Sequence, residues 1–448
     1  MANALRDFFA TGPDTPESTD RGWIDATYRR HRVRVMLAIT LGYALIYTCR
    51  LAISMVKKPL IDGGIFSAEQ LGVIGSALYF AYAVGKLTNG FFADHCNMRR
   101  FLTFSFATSA VTCIAMGFAD AFVLAVVLWG LNGWFQSFGA PGGVVAMTAW
   151  YSNRERGRMY GLWSTAHSMG EGLTFLVVGG LVAALGWRWG YWGAGALGIV
   201  AAVGSWYLLQ DRPRTLGLPT VADWKDDHYG DGPKNDAKSV LALQLSILRI
   251  PSIWVLCLAA ATTYVTRYGI NSWGVLYLQE TRGYSELEAG SWLFLSTLAG
   301  IFGAVAYGFT SDGLFGARRP PANLLFAVVE IVGLLLIFYA PHEPLWLTIG
   351  LLLFGLGLTG LVTSLGGLFA VDIAPKRVAG AAMGVIGIFS YIGAGLQDLV
   401  SGLLIGRGTQ MVDGVRHYDF DAAIVFWIGS SVVSMVLAAS LWRTKLRD

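Results

Sequence analysis

Charge is what this sequence has least of. Aspartate, glutamate, lysine and arginine make up 14% of its 448 residues, against about a quarter in an ordinary soluble domain, and that shortage excludes a water-soluble fold. Cysteine is nearly as scarce: Cys49, Cys96, Cys113 and Cys257 lie in or beside apolar segments without paired spacing or histidine neighbours. Neither a disulfide framework nor a zinc site follows from them, and the redox compartment stays open. A basic stretch leading into an apolar run is also missing at the start. The first twenty residues are polar and carry Asp14, Glu17 and Asp20, so no cleavable leader is expected and the first helix itself should direct insertion. No GxxxxGK[ST] loop or other nucleotide cradle occurs, so ATP is not implied. No nucleophile, base and orienting group stand at workable spacing, which argues against an enzyme. The formal charge is only +4, and its basic residues sit in loops without the motifs or aromatic spacing of nucleic-acid readers. Nothing calls for a nucleic-acid partner, a metal or a cofactor.

What is present is apolar and repetitive. Hydrophobic residues make 54% of the chain, the mean hydropathy is +0.53, and runs of roughly twenty apolar residues recur between short charged loops, as the thickness of a bilayer requires. The expected fold is an all-α membrane protein with twelve transmembrane helices, near 33–54, 70–92, 101–119, 122–148, 159–184, 189–209, 251–274, 287–311, 322–340, 344–371, 378–405 and 420–442. The 56 glycines suit helices whose backbones approach closely in lipid. Arg29, Arg30, Arg32 and Arg34 crowd the entry to the first helix, and Arg99, Arg100, Arg154, Arg156, Arg158, Arg318, Arg319, Lys376, Arg377 and Arg443 fall on the same side. The positive-inside rule then puts both termini in the cytoplasm of a multi-pass cell (inner) membrane protein. Lys57, Lys58, Arg188, Arg282, Arg407 and Arg416 are exceptions, expected in loops on the opposite side.

One long polar break, 210–248, is rich in Asp, Lys, Gly and Pro. It divides the chain into a cytoplasmic tail (1–28), a first six-helix bundle (29–209), a cytoplasmic linker (210–248) and a second bundle (249–448). The bundles echo one another. GFFADHCNMRR, with Gly90, Asp94, Arg99 and Arg100, reappears as GFTSDGLFGARR, with Gly308, Asp312, Arg318 and Arg319; Gly90 and Gly308 are 218 positions apart. Aspartates and arginines so placed at helix ends can form a cytoplasmic gate, or can simply anchor topology. YTCR, ending at Arg50, is likewise echoed 217 positions on by YVTR, ending at Arg267. Each arginine falls near the middle of a membrane span, where a guanidinium costs at least about 2.5 kcal/mol unless it is neutralised. Two such residues on matching helices of repeated halves can meet at the repeat interface near the midplane, where carriers of this construction bind substrate. Pairing with intramembrane carboxylates that merely hold helices together is the plainer alternative.

Around these arginines stand further groups at helical spacing. Tyr43 and Tyr47 precede Arg50; Tyr264 precedes Arg267 and Asn271 follows it; Tyr79, Tyr82 and Lys86 share one face of the second helix; His167 and Glu171 share a face of the fifth. An arginine fork binds two oxygens of a phosphate at once, and tyrosine hydroxyls and a lysine can take the rest. Two arginines and a lysine therefore favour a phosphate dianion over a single carboxylate. Glu171, Asp398 and Glu330 are the acids able to neutralise Arg50, Arg267 or Lys86 in an empty site. Glu171 or Asp398 could instead take a proton or meet a positively charged group on a substrate, and Trp273 could line the cavity.

With these residues in view, YTCR, AYAVGKLTNGFFAD, WSTAHSMG, DRPRTLGLP and YVTRYGINSWGVLYL resemble the organophosphate:phosphate antiporter family of the major facilitator superfamily over most of the chain. The resemblance implies two six-helix bundles related by a pseudo-twofold axis, functional as a monomer, with phosphate bound by Arg50 and Arg267 and supported by Lys86, Tyr82, Tyr47 and His167. Weaker contacts to the organic group would come from Tyr43, Tyr79, Tyr264, Asn271, Trp273, Glu171 and Asp398. It further implies exchange of an organic phosphate for inorganic phosphate, and SDGLFGARRPPANLLFA is most similar to the hexose-phosphate sensor and transporter branch. Several positions depart from the family pattern. Leu51 stands where many members have a second basic residue and Thr297 where many have an acid. The eleventh helix has Asp398 without a lysine, and Glu171 stands where glycine is usual. A sensor of external sugar phosphate, a carrier of phosphonates or amine-bearing phosphates, and a proton-coupled organic anion symporter remain as alternatives.

Overall fold

A computed structural model describes residues 7–93, 95–227, 247–316, 318–373, 379–412 and 415–443. Ten helices among them are long and apolar enough to cross a membrane, and Met98–Met116 and Trp187–Leu208, which fall short of that hydropathy, complete a set of twelve. In chain order these are α1 (Arg21–Asp62), α2 (Ala68–Ala93), α3 (Met98–Met116), α4 (Phe122–Trp150), α5 (Asn153–Leu185), α6 (Trp187–Leu208), α7 (Pro251–Arg282), α8 (Glu286–Leu314), α9 (Arg319–Tyr339), α10 (Pro344–Leu368), α11 (Ala379–Gly408) and α12 (Asp421–Ser440). They form two six-helix bundles, α1–α6 and α7–α12. The end where α1 begins and α12 finishes is called basal below, the other end distal.

Local chemistry sets the helix ends. The Asp20 carboxylate accepts from the Trp23 N–H at 3.1 Å and the Asn97 side chain from the Arg100 N–H at 3.1 Å. Ser152 with Glu155, and Ser285 with Glu288, close reciprocal capping boxes at the starts of α5 and α8. Pro251 and Pro344 open α7 and α10, where a missing N–H costs nothing. Wider π turns interrupt three helices, among them Thr174–Val178 in α5, directly after Glu171 and its neighbours. Such turns shift a helix face and often accompany functional positions.

Two expectations need correction. α1 does not stop near residue 54 but continues to Asp62, so Lys57 is a buried helical residue and not part of a distal loop. The segment expected as a tail over 1–28 is, from Asp7 onward, packed on the bundle and partly helical, with the Asn97 N–H donating to the Phe9 carbonyl at 2.7 Å and α1 starting at Arg21. The Asp211 carboxylate bridges this segment to α3 by accepting from the Gly12 and Met98 N–H groups, each at 3.2 Å.

The bundles meet differently at the two ends. At the distal end small residues let backbones cross. A Cβ on Gly72 of α2 would lie 2.6 Å from the Asp398 carbonyl oxygen and 2.9 Å from Gly402 Cα on α11, and one on Gly290 of α8 would lie 2.4 Å from the Phe175 carbonyl oxygen on α5. At the basal end a Cβ on Gly157 or Gly161 of α5, or on Gly384 of α11, would meet nothing within 4 Å. The halves are therefore packed together distally and parted basally. A hairpin of β1 (Gln410–Val412) and β2 (Val415–His417) lies at the distal end, where Arg416 donates to the Ile61 carbonyl and Tyr418 to Asp62.

Candidate functional site

In the distal half of α1, Arg50 is 1% exposed. Its Nε donates to Gln136 Oε1 at 3.0 Å and its Nη1 to the Tyr391 hydroxyl at 2.9 Å. The guanidinium lies 4.5 Å from the Tyr47 ring centre and 4.4 Å from that of Tyr82. Every one of these partners is neutral, and among the described residues no carboxylate pairs with Arg50. The ring faces recover about 0.5–2 kcal/mol each, short of the several kcal/mol that desolvating a cation costs. Gln136 is held in place for this contact. Its amide donates to Asn132 Oδ1 at 3.1 Å, and Asn132 in turn donates to the Cys49 carbonyl at 2.9 Å and accepts from Ser109 at 2.6 Å.

Arg267, on the matching helix of the second half, does have an acid. Its Nη2 pairs with Glu171 of α5, and the same carboxylate oxygen accepts from Asn271 Nδ2 at 3.2 Å and from the Tyr47 hydroxyl at 3.5 Å. The hydroxyls of Tyr47 and Tyr268 are 3.3 Å apart. Tyr47 thus lies under one arginine and touches the counter-ion of the other, which joins the two into a single cluster across the bundle interface. Thr266 fixes the backbone beside Arg267 by donating to the Trp427 carbonyl at 3.0 Å, and its hydroxyl is 2.8 Å from that of Ser431.

Lys86 of α2 completes the cation set. Its Nζ sits 5.2 Å from the Tyr391 ring centre, and among the described residues it too pairs with no carboxylate. His167 packs between Tyr43 and Tyr47, at ring distances of 5.0 and 5.6 Å, and its Nδ1 donates to the Ser164 carbonyl at 3.1 Å. Tyr43 and Tyr82 face one another hydroxyl to hydroxyl at 3.5 Å, Tyr79 lies against Tyr268 at 4.6 Å, and Tyr264 against Tyr391 at 5.7 Å. Lys86, His167, Tyr264 and Arg267 are partly exposed, whereas Arg50 behind them is not. The cluster therefore opens toward the basal end.

Two residues placed in the site from sequence belong instead to a layer behind it. Asp398 neutralises none of Arg50, Arg267 or Lys86. Its Oδ1 lies 3.2 Å from Lys57 Nζ and accepts from Ser272 at 2.7 Å and from Trp273 Nε1 at 2.7 Å. Trp273 is fully buried and its indole face covers Lys57 Nζ at 3.3 Å, so it backs the ion pair and lines no cavity. Glu330, the third acid, accepts from Ser431 at 3.0 Å on the far side of α7. Sequence reasoning missed Gln136, Tyr268, Tyr391 and Lys57. Asn132 and Gln136 at helical spacing in an apolar stretch were a visible signal, as was Tyr268 directly after Arg267.

Of the expected gate, Asp94 lies outside the described residues. Arg100 donates to the Phe8 carbonyl at 2.8 Å and Arg99 stacks on Trp206 at 4.3 Å. In the second half Arg319 pairs with Asp312 at 2.9 Å and Asp372 at 2.6 Å, while Arg318 lies 5.7 Å from the Trp442 ring centre. These contacts tie helices within a half and make no bridge between halves.

Cations gathered at the interface of two six-helix bundles that part at one end suit a membrane carrier, and the chain belongs to the Major Facilitator Superfamily, whose family profile matches residues 36–397. Its fold is similar to that of a bacterial homologue of the human lysosomal transporter Spinster, with a TM-score of 0.74 at 18% identity over 93% of this chain and 99% of that one. Within the superfamily it is a member of the organophosphate:phosphate antiporter family. It is 34% identical to the membrane sensor protein UhpC of Escherichia coli, over 87% of this chain and 89% of that protein. A probable hexose phosphate transport protein of Chlamydia pneumoniae is 31% identical over 88% and 89%. The glycerol-3-phosphate transporter of Bacillus subtilis is 30% identical over 96% and 97%.

Proposed function

We propose that this chain is a secondary carrier that exchanges an organic phosphate for inorganic phosphate, with a sugar phosphate such as hexose 6-phosphate as the favoured substrate and glycerol 3-phosphate as a second. The observation that carries this reading is Arg50, buried and held by neutral groups, with Lys86 nearby and neither paired with an acid among the described residues. A cation kept that way stabilises whatever anion arrives, and a planar fork flanked by tyrosine hydroxyls suits the oxygens of a phosphate. Arg50, Arg267, Lys86, Tyr47, Tyr82 and His167 take the phosphate, and Tyr43, Tyr79, Tyr264 and Asn271 face the organic group. The basal end, rich in arginine, faces the cytoplasm of a bacterial inner membrane. The protein works as a monomer and catalyses no covalent step. Rocking of the halves about the site exposes it alternately, driven by the opposing phosphate gradients.

Counterflow into proteoliposomes loaded with phosphate tests this. Labelled hexose 6-phosphate should enter against internal phosphate and stay out of empty vesicles. The 34% identity to a protein named as a membrane sensor supports a second reading, in which the same site reports external sugar phosphate to a membrane partner. Binding of hexose 6-phosphate with negligible counterflow would favour that reading.

A further inference from the structure

We propose that Glu171 sets the charge of the preferred substrate at two negative, selecting phosphate esters whose organic part is neutral over those that carry an additional carboxylate. This inference rests on the phosphate reading above. Among the described residues three cations face the site, Arg50, Arg267 and Lys86, and one resident carboxylate, Glu171, sits among them. Lys57 and Asp398 form a closed pair behind and leave that balance unchanged. A phosphate dianion brings the cluster to neutrality. A third negative charge would lie beside Glu171, itself buried, with no cation left to meet it, and like charges placed so cost several kcal/mol.

Glu171 is built to stay where it is. Its oxygen is held by Arg267, Asn271 and the Tyr47 hydroxyl, donors from α7 and α1 converging on α5. The flanking glycines clamp the backbone that carries it. A Cβ on Gly170 would lie 2.4 Å from Tyr47 Cβ, and one on Gly172 would lie 2.8 Å from the Phe294 ring of α8. The carboxylate cannot retreat by a backbone shift, so its charge acts on each substrate that enters.

The test compares hexose 6-phosphate with 3-phosphoglycerate as external substrates for phosphate-loaded proteoliposomes, at a pH where the phosphate group is doubly ionised, above about 7. The wild type should prefer the hexose phosphate by about tenfold or more, and Glu171→Gln, which keeps an acceptor oxygen but loses the charge, should shift that ratio toward 3-phosphoglycerate by about tenfold. Glu171→Asp should keep the wild-type preference. A wild type that takes both equally, or a ratio unmoved in Glu171→Gln, overturns the proposal while phosphate:phosphate exchange by the wild type still upholds the carrier reading. Absence of that homologous exchange in the wild type would remove both.

Discussion

Arg50 and Arg267 occupy matching helices, yet their surroundings are unequal. Arg267 shares a carboxylate with Asn271 and Tyr47, whereas Arg50 has an amide, a phenol and aromatic faces. Lysine at either position keeps the charge and loses the fork. Arg50→Lys should cost about 2–3 kcal/mol of anion binding, the worth of charge-assisted hydrogen bonds, and reduce phosphate exchange by about 100-fold while insertion measured by membrane yield stays normal. Arg267→Lys should do likewise. Lys57 makes a different prediction, because removing one partner of a buried pair strands the other. Lys57→Met should lower stability by about 3 kcal/mol, read as a fall in the thermal unfolding temperature in detergent, and adding Asp398→Asn should recover most of it. At this scale the arginines, Lys86 and Glu171 were legible because an ionisable group in an apolar run stands out. Gln136 and Tyr391 were not, since neutral polar residues and tyrosines in membrane helices most often serve packing or the interfacial belt.

Among the elements, α2 and α11 make the most extensive crossing between the halves, and glycine is what permits it. A methyl at Gly72 would press on backbone atoms of Asp398 and Gly402 at under 3 Å, so the backbones must move apart. Gly72→Ala should therefore disfavour the distally closed arrangement, and spin labels at Ser67 and Leu287 should report a longer distance population than in the unaltered chain. The twelve helices could be read from apolar runs, but the ends of α1 could not. A rule that ends a span at the first lysine stops before Lys57, whereas the helix continues because Asp398, contributed by a helix more than three hundred positions away in sequence, neutralises that lysine. Local pattern holds no information about such a partner. The same limit explains Asp398 itself, which looks like a free site acid until Lys57 is seen beside it.

Taken whole, the molecule is closed at one end and parted at the other. Contacts between halves run from the Tyr47–Tyr268 pair through Lys57–Asp398 to Lys58–Glu280 at the distal end, while Lys86 and His167 are reached from the basal side. Alternating exposure requires the distal contacts to break. A disulfide between cysteines introduced at positions 58 and 280 should stop transport, and reductant should restore it. The duplicated plan was visible in sequence through the paired arginine and loop motifs, but the state of the two ends was not, because both states share one sequence. Transport in this scheme requires Arg50 to be a phosphate-binding cation and not merely a tether between helices. Phosphate-loaded counterflow of hexose 6-phosphate in the wild type against Arg50→Lys tests that most directly. Robust uptake in the first and near-background uptake in the second is the outcome expected, and equal uptake in both would contradict it.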